Sequence, residues 1–169
     1  MVVELKKLSR ADGVDIYDML QEIPKEENGF GNSANGLSYD EYKQWLIYSD
    51  NCANGIGLDD WMVPQTAYWL YVNGKPVGMG KLRHYLTEKL KEDGGHIGYA
   101  ISPTYRNCGY GKLLLGLLID EAEKMGINRV LVTIENHNTA SLKVAISNGG
   151  IIEKTNDIRH FIWIDCKNR

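Results

Sequence analysis

The chain has 169 residues, 43% hydrophobic and 24% charged, which is the makeup of a folded domain and excludes disordered, collagen-like and coiled-coil chains. Nineteen basic against twenty-two acidic residues give a net charge of -3 with no block of like charge, so no nucleic-acid partner is expected. The longest apolar run, Leu113 to Ile119, is far shorter than the ~20 residues that cross a bilayer, and Glu4, Lys6 and Lys7 stand where an export signal needs apolar residues; the expectation is a cytoplasmic protein with no membrane partner.

Val2 to Leu5 reads as a short strand, and Ser9-Arg10-Ala11-Asp12 as a cap before a helix through Ile16, Met19, Leu20 and Ile23, closed by Pro24. Glu26 to Leu37, rich in Gly and Asn, reads as an irregular loop. Ser38 with Glu41 three residues on matches a capping box opening a helix to Tyr48, and a second loop covers Asp50 to Pro64. The aromatic and β-branched run Thr66 to Val72, the turn signal Asn73-Gly74 and the run Pro76 to Leu82 predict a hairpin. A polar insert, Leu86 to Asp93, leads to a strand, His96 to Ile101, halted by Pro103. Tyr110 to Met125 is an amphipathic helix closed by Gly126, Arg129 to Ile134 a strand apolar on both faces, and Asn138 to Asn148 another helix. Strands near 151–153 and 159–164 finish the chain. This order predicts one α/β domain over residues 1–169, an α+β mixed sheet of about seven strands with helices on both sides, in which only the crossover at 96–134 need be parallel.

Cys52, Cys108 and Cys166 lie more than fifty residues apart, and His84, His96, His137 and His160 lack ligand spacing, so free thiols and no metal are expected. The chemistry concentrates in Arg106-Asn107-Cys108-Gly109-Tyr110-Gly111, between a strand and a long helix. The first amides of a helix have no internal partner and sit at the positive end of its dipole, a natural seat for phosphate oxygens. A P-loop needs Ser or Thr after Gly-Lys, and here Gly111-Lys112 is followed by Leu113; the dinucleotide fingerprint needs another glycine register.

The stretch Gly95 to Gly111 resembles the fourth strand and pyrophosphate loop of the GNAT superfamily of acetyl-CoA-dependent N-acetyltransferases. Asn138-Thr139-Ala140-Ser141 with Asn148-Gly149 is similar to that superfamily's second signature. Glu27-Asn28-Gly29-Phe30, Val63-Pro64-Gln65-Thr66 and Asn148-Gly149-Gly150 resemble, more narrowly, a bacterial subgroup of predicted acetyltransferases. The resemblance implies a GNAT fold whose fourth and fifth strands, here about 96–102 and 129–135, splay apart to admit pantetheine. Acetyl-CoA would then bond to strand backbone around Tyr99, Ala100, Ile101 and Ser102. Its pyrophosphate would rest on the amides of Asn107, Cys108, Gly109, Tyr110, Gly111 and Lys112, with charge from Arg106 and Lys112. Asn138 and Ser141 would line the far side of the arm.

The implied reaction is direct attack on the thioester by a primary amine, of a small molecule or a peptide, on a monomer or homodimer. An ammonium with a pKa near ~10.4 must first lose a proton, and Glu135, His137 and Tyr99, with His96, are the candidate titrating groups. Glu26, Glu27 and Phe30 are the candidates for holding a cationic acceptor. Many members place a tyrosine acid seven residues after the motif Asn; here that position is Ala145. Its absence keeps open an alternative, a non-catalytic acyl-CoA sensor or interaction module.

Overall fold

The computed structural model describes residues 1–169 as β1 (Val3–Lys7), α1 (Val14–Glu22), β2 (Glu26–Glu27), β3 (Phe30–Gly31), α2 (Tyr39–Ala53), β4 (Gln65–Val72), β5 (Lys75–Arg83), α3 (Glu88–Glu92), β6 (Ile97–Ile101), α4 (Tyr110–Lys124), β7 (Arg129–Glu135), α5 (Thr139–Ser147), β8 (Ile151–Thr155) and β9 (Arg159–Asp165). Strand periodicity sorts β4 between two cores. Tyr68, Leu70 and Val72 join Leu114, Leu115 and Leu118 of α4 and Val130, Val132 and Ile134 of β7. Ala67, Trp69 and Tyr71 join Ile16, Met19 and Leu20 of α1 and Tyr42 and Leu46 of α2. Helices therefore cover both faces, as the order of the elements predicts.

The sheet falls into two parts, β1-β4-β5-β6 and β7-β9-β8, and every ladder in both is antiparallel. The crossover expected to be parallel forms no ladder: β6 and β7 meet only at their beginnings, where His96 N–H donates to the Leu131 carbonyl at 2.8 Å and Gly95 bridges Val132. Beyond that point the strands part.

Capping chemistry sets α2. Ser38 Oγ accepts the Glu41 amide at 3.2 Å and Glu41 Oε1 accepts the Ser38 amide at 2.9 Å, the reciprocal box the sequence predicts; the helix runs on to Ala53, past the expected end. The loop expected over Glu26 to Leu37 contains a further hairpin. Asn28 (φ 52°) and Gly29 (φ 79°) form its turn, with β2 and β3 paired on either side. Two successive positive φ angles are what a two-residue hairpin needs. Met125, the last residue of the helix the sequence predicts, is the C-cap of α4 and is exposed.

Candidate functional site

Where β6 and β7 part, a cleft of about 770 Å³ opens through the molecule. Alternation along β6 divides its walls: Ile97, Tyr99 and Ile101 lean on the core beneath α4, while Ala100 packs toward α1 and Phe30 lies against Gly98. The β2–β3 hairpin crosses this second face. Gly29 at its turn sits over Glu135 at the end of β7, and a Cβ there would stand 2.9 Å from Glu135 Oε1. Only glycine meets both the close approach and the positive φ.

At the α4 end of the cleft a run of backbone amides is left without protein acceptors. The helix begins at Gly109 (φ 80°) with no side-chain cap, and Asn107 also has a positive φ of 61°. The first helical amide with an acceptor is that of Leu113, bonded to the Gly109 carbonyl; the six amides from Asn107 to Lys112 have none in the protein. Nothing lies within 4 Å of where a Gly109 Cβ would be. Unpaired N–H groups at a helix start, with open space at Gly109, suit phosphate oxygens.

Arg106 flanks this run of amides and is engaged. Its Nε donates to the Ile101 carbonyl at 3.1 Å and its terminal nitrogen to Glu27 Oε1 at 2.6 Å. On the other wall Asn138 caps α5, accepting the Ser141 amide at 3.3 Å and donating to Ser141 Oγ at 3.0 Å. The resemblance pairs these two residues; the geometry gives the local reason.

Tyr99 is half-buried, yet its hydroxyl is sealed from solvent with no hydrogen-bond partner. Burial raises its pKa above the usual tyrosine value, and Ser141 beside it offsets part of the rise. Glu135 is half-buried, with Oε2 3.6 Å from His137 Nε2. His96, buried at the floor, is pushed down to about 4 by burial and by Arg83, so its ring is neutral. Lys81 on β5 is lowered to about 8 by burial and again by Arg83, while burial lowers Arg83 itself against the opposing field of Asp93.

Of the candidate residues, Tyr99, Glu135, Glu27, Phe30, Ala100, Ile101, Arg106, Asn107, Gly109, Tyr110, Gly111, Lys112, Asn138 and Ser141 line the cleft. Ser102, Cys108, Glu26 and His137 do not. Ser102 is fully buried and turned away, its Oγ donating to Glu22 at 2.5 Å. His137 is exposed and meets Asn28 Oδ1 at 3.0 Å, tying the hairpin to β7. Lys81 and Arg83 were not among the candidates; the expected strand ends at Leu82, and only the fold carries it on to Arg83 and shows that this face lines the cleft.

The model of the family described as "Acetyltransferase (GNAT) family" matches residues 17–148. Among curated proteins the chain is 35% identical to a ribosomal-protein alanine N-acetyltransferase of Haemophilus influenzae, over 33% of this chain and 49% of that protein, so the matched stretch spans about half of that relative. Among solved structures it resembles an N-acetyltransferase of Campylobacter jejuni in complex with acetyl coenzyme A, with a TM-score of 0.65, 13% identity and 97% and 99% of the two chains covered. It also resembles a ribosomal-protein alpha-N-acetyltransferase in complex with coenzyme A, with a TM-score of 0.69, 15% identity and 99% and 97% covered.

Proposed function

Because this chain belongs to the acetyltransferase (GNAT) family, we propose that it transfers the acetyl group of acetyl-CoA to a primary amine. The observation that carries this reading is the row of six acceptorless amides, Asn107 to Lys112, set beside the gap between β6 and β7. Acetyl-CoA, when bound, supplies the activated thioester that the amine attacks and from which the CoA thiol departs. The fit is supported by the open space at Gly109, by Lys112 in the first turn of α4 and by the orphaned Tyr99 hydroxyl.

The protein's part is positioning and proton handling. The unpaired N–H groups of β6 beyond the last rung hold the arm by strand addition, and the cradle amides hold its phosphates. Glu135, at the mouth of the opening, takes the ammonium proton before attack. Ala145 is fully buried in the core and offers no acid. The phenol of Tyr99, buried and without a hydrogen-bond partner, is the group that would supply a proton to a departing thiolate instead. That hydroxyl favours catalysis over a sensor that only binds. The test is release of free CoA thiol from acetyl-CoA in the presence of an amine panel, with CoA binding measured in parallel. Tight CoA binding with no acetylated amine would favour the binding module, and equal stabilisation by ATP and by CoA would overturn both readings.

A further inference from the structure

Two cations on the cleft floor lack a counter-ion. Lys81 and Arg83 alternate on the face of β5 that carries Met79 into the α1–α2 core, both line the cleft, and neither has a carboxylate oxygen within 4.0 Å. Lys81 donates to the Gly31 carbonyl at 2.5 Å and stands 4.8 Å from the centre of the Phe30 ring; Arg83 donates to the Gly95 carbonyl at 2.9 Å. An ammonium carries three N–H donors and a guanidinium five, so most of this donor capacity has no protein acceptor. Of the acids lining the cleft, Glu27 pairs with Arg106, and Asp93, whose field reaches Arg83, pairs with Arg159. Two like charges side by side without a paired carboxylate cost free energy, and the Arg83 guanidinium depresses the affinity of Lys81 for its proton.

We infer that the acetyl acceptor is an amine that also carries a carboxylate or a phosphate, and that Lys81 and Arg83 clamp this anion on the cleft floor. The inference rests on the acetyl-transfer reading and narrows its acceptor. Register places the clamp at the vertex of the opening: the Arg83 amide bonds the His96 carbonyl beside the last rung, and Lys81 stands opposite Gly98, two residues past it, so a molecule anchored there directs its other end along the opening. Trp45, Tyr48 and Trp61 roof the same cleft and suit an apolar body between the two ends. A polyamine would place further positive charge beside two unpaired cations.

The experiment measures kcat/KM for matched acceptors: phenylalanine against phenylalaninamide for the carboxylate, O-phosphoethanolamine against ethanolamine for the phosphate, and spermidine. At least one anionic member is expected to exceed its neutral counterpart by about tenfold or more, and that pair identifies the anion. Lys81→Met and Arg83→Gln should each pull the ratio toward one and leave the KM for acetyl-CoA unchanged. In case none of these amines is turned over, calorimetry with 3-phenylpropionate and phenyl phosphate on the CoA-loaded protein reads the clamp directly; saturable binding that weakens about tenfold in both variants supports it. Preference for neutral or cationic amines, absence of binding by both anions, or equal binding by the variants overturns it. Failure of CoA itself to bind in the same calorimeter would overturn the acetyl-transfer reading on which it stands.

Discussion

Leu131 donates its backbone N–H to Nδ1 of His96 at 2.9 Å, while the His96 amide donates to the Leu131 carbonyl at 2.8 Å. A side-chain nitrogen thus fills the place of a strand carbonyl, because the His96 carbonyl already accepts the Arg83 amide at 2.8 Å. An accepting Nδ1 fixes the neutral ring with its proton on Nε2. The rung is the last tie between the two half-sheets before the cleft opens.

The stability of the fold should therefore fall with acid through this one group. Its pKa is about 4 in the folded chain against an ordinary 6.5, so between these values the unfolded chain binds a proton that the folded chain refuses. The contribution is complete above pH 6.5 and is lost as pH falls toward 4, on the order of 3 kcal/mol in all. His96→Phe leaves the Leu131 amide without an acceptor; it is expected to cost roughly 1–3 kcal/mol at pH 7 and to flatten the dependence of Tm on pH below 6.5. Equal slopes for parent and variant would contradict this account.

Much of the architecture was legible because its signals were local. Ser38 with Glu41 announces α2, and Asn73-Gly74 between aromatic runs announces the β4–β5 hairpin. The same dipeptide at Asn28-Gly29 passed for loop, since Glu26-Glu27 and Phe30-Gly31 beside it lack β-branched residues and the strands have two residues each. The uncapped helix start at 107–112 was legible from its glycines. The floor was not: whether Lys81 and Arg83 face solvent or a cleft depends on a hairpin fifty residues away, and whether Ser102 meets a ligand or Glu22 depends on α1.

Arg106 cannot serve Glu27 and a phosphate fully at once. Both side chains are about 40% exposed, at 38% and 41%, so the pair itself contributes little to stability. Glu27→Gln should leave Tm nearly unchanged and tighten CoA binding by about two- to fivefold by freeing the guanidinium. A pantetheine fragment, which lacks the pyrophosphate, should bind both proteins alike. Weaker CoA binding by the variant would mean that Glu27 positions Arg106 rather than competing for it.

Tyr99→Phe separates proton donation from packing. The ring and its contacts stay, and the orphaned hydroxyl goes, so stability should hold or rise by about 1 kcal/mol. If the phenol protonates the departing thiolate, kcat should fall about 10- to 100-fold with CoA affinity unchanged. The loss should shrink for an acetyl thioester with a more acidic thiol, which needs no acid. Ala145→Tyr is not expected to restore turnover, because that site is filled core.

The anion clamp carries its own pH signature. Lys81 has a pKa of about 8, and Arg83 beside it keeps its charge far above that. The other titratable groups around the cleft are the neutral His96, Glu135, Lys112, the ion pairs Glu27–Arg106 and Asp93–Arg159, the thiol of Cys52 and the phenols of Tyr48, Tyr99, Tyr105 and Tyr110. For an anionic acceptor and its neutral partner of similar amine pKa, deprotonation of the nucleophile cancels in the ratio of kcat/KM values. That ratio should decline as pH rises through about 8 and should be flat in Lys81→Met. A flat ratio in the parent would remove Lys81 from the clamp.

Gly109 and Gly126 make a matched pair for testing the cradle, since they flank the two ends of α4 with φ of 80° and 85°, and a Cβ at either would meet nothing within 4 Å. Alanine at either position forces an L-residue into the left-handed region, at a cost of roughly 1–2 kcal/mol. The two variants should therefore lose similar stability in thermal unfolding. Only Gly109→Ala puts its methyl group before the acceptorless amides of 107–112, so only it should weaken CoA, with Gly109→Val weakening it by about tenfold or more, or ~1.4 kcal/mol. Calorimetry with CoA, dephospho-CoA and the pantetheine fragment locates the loss: the two pyrophosphate-bearing ligands should suffer together and the fragment not at all. Equal loss of CoA affinity in Gly109→Ala and Gly126→Ala would assign the effect to the helix as a whole and withdraw the phosphate seat from its first turn.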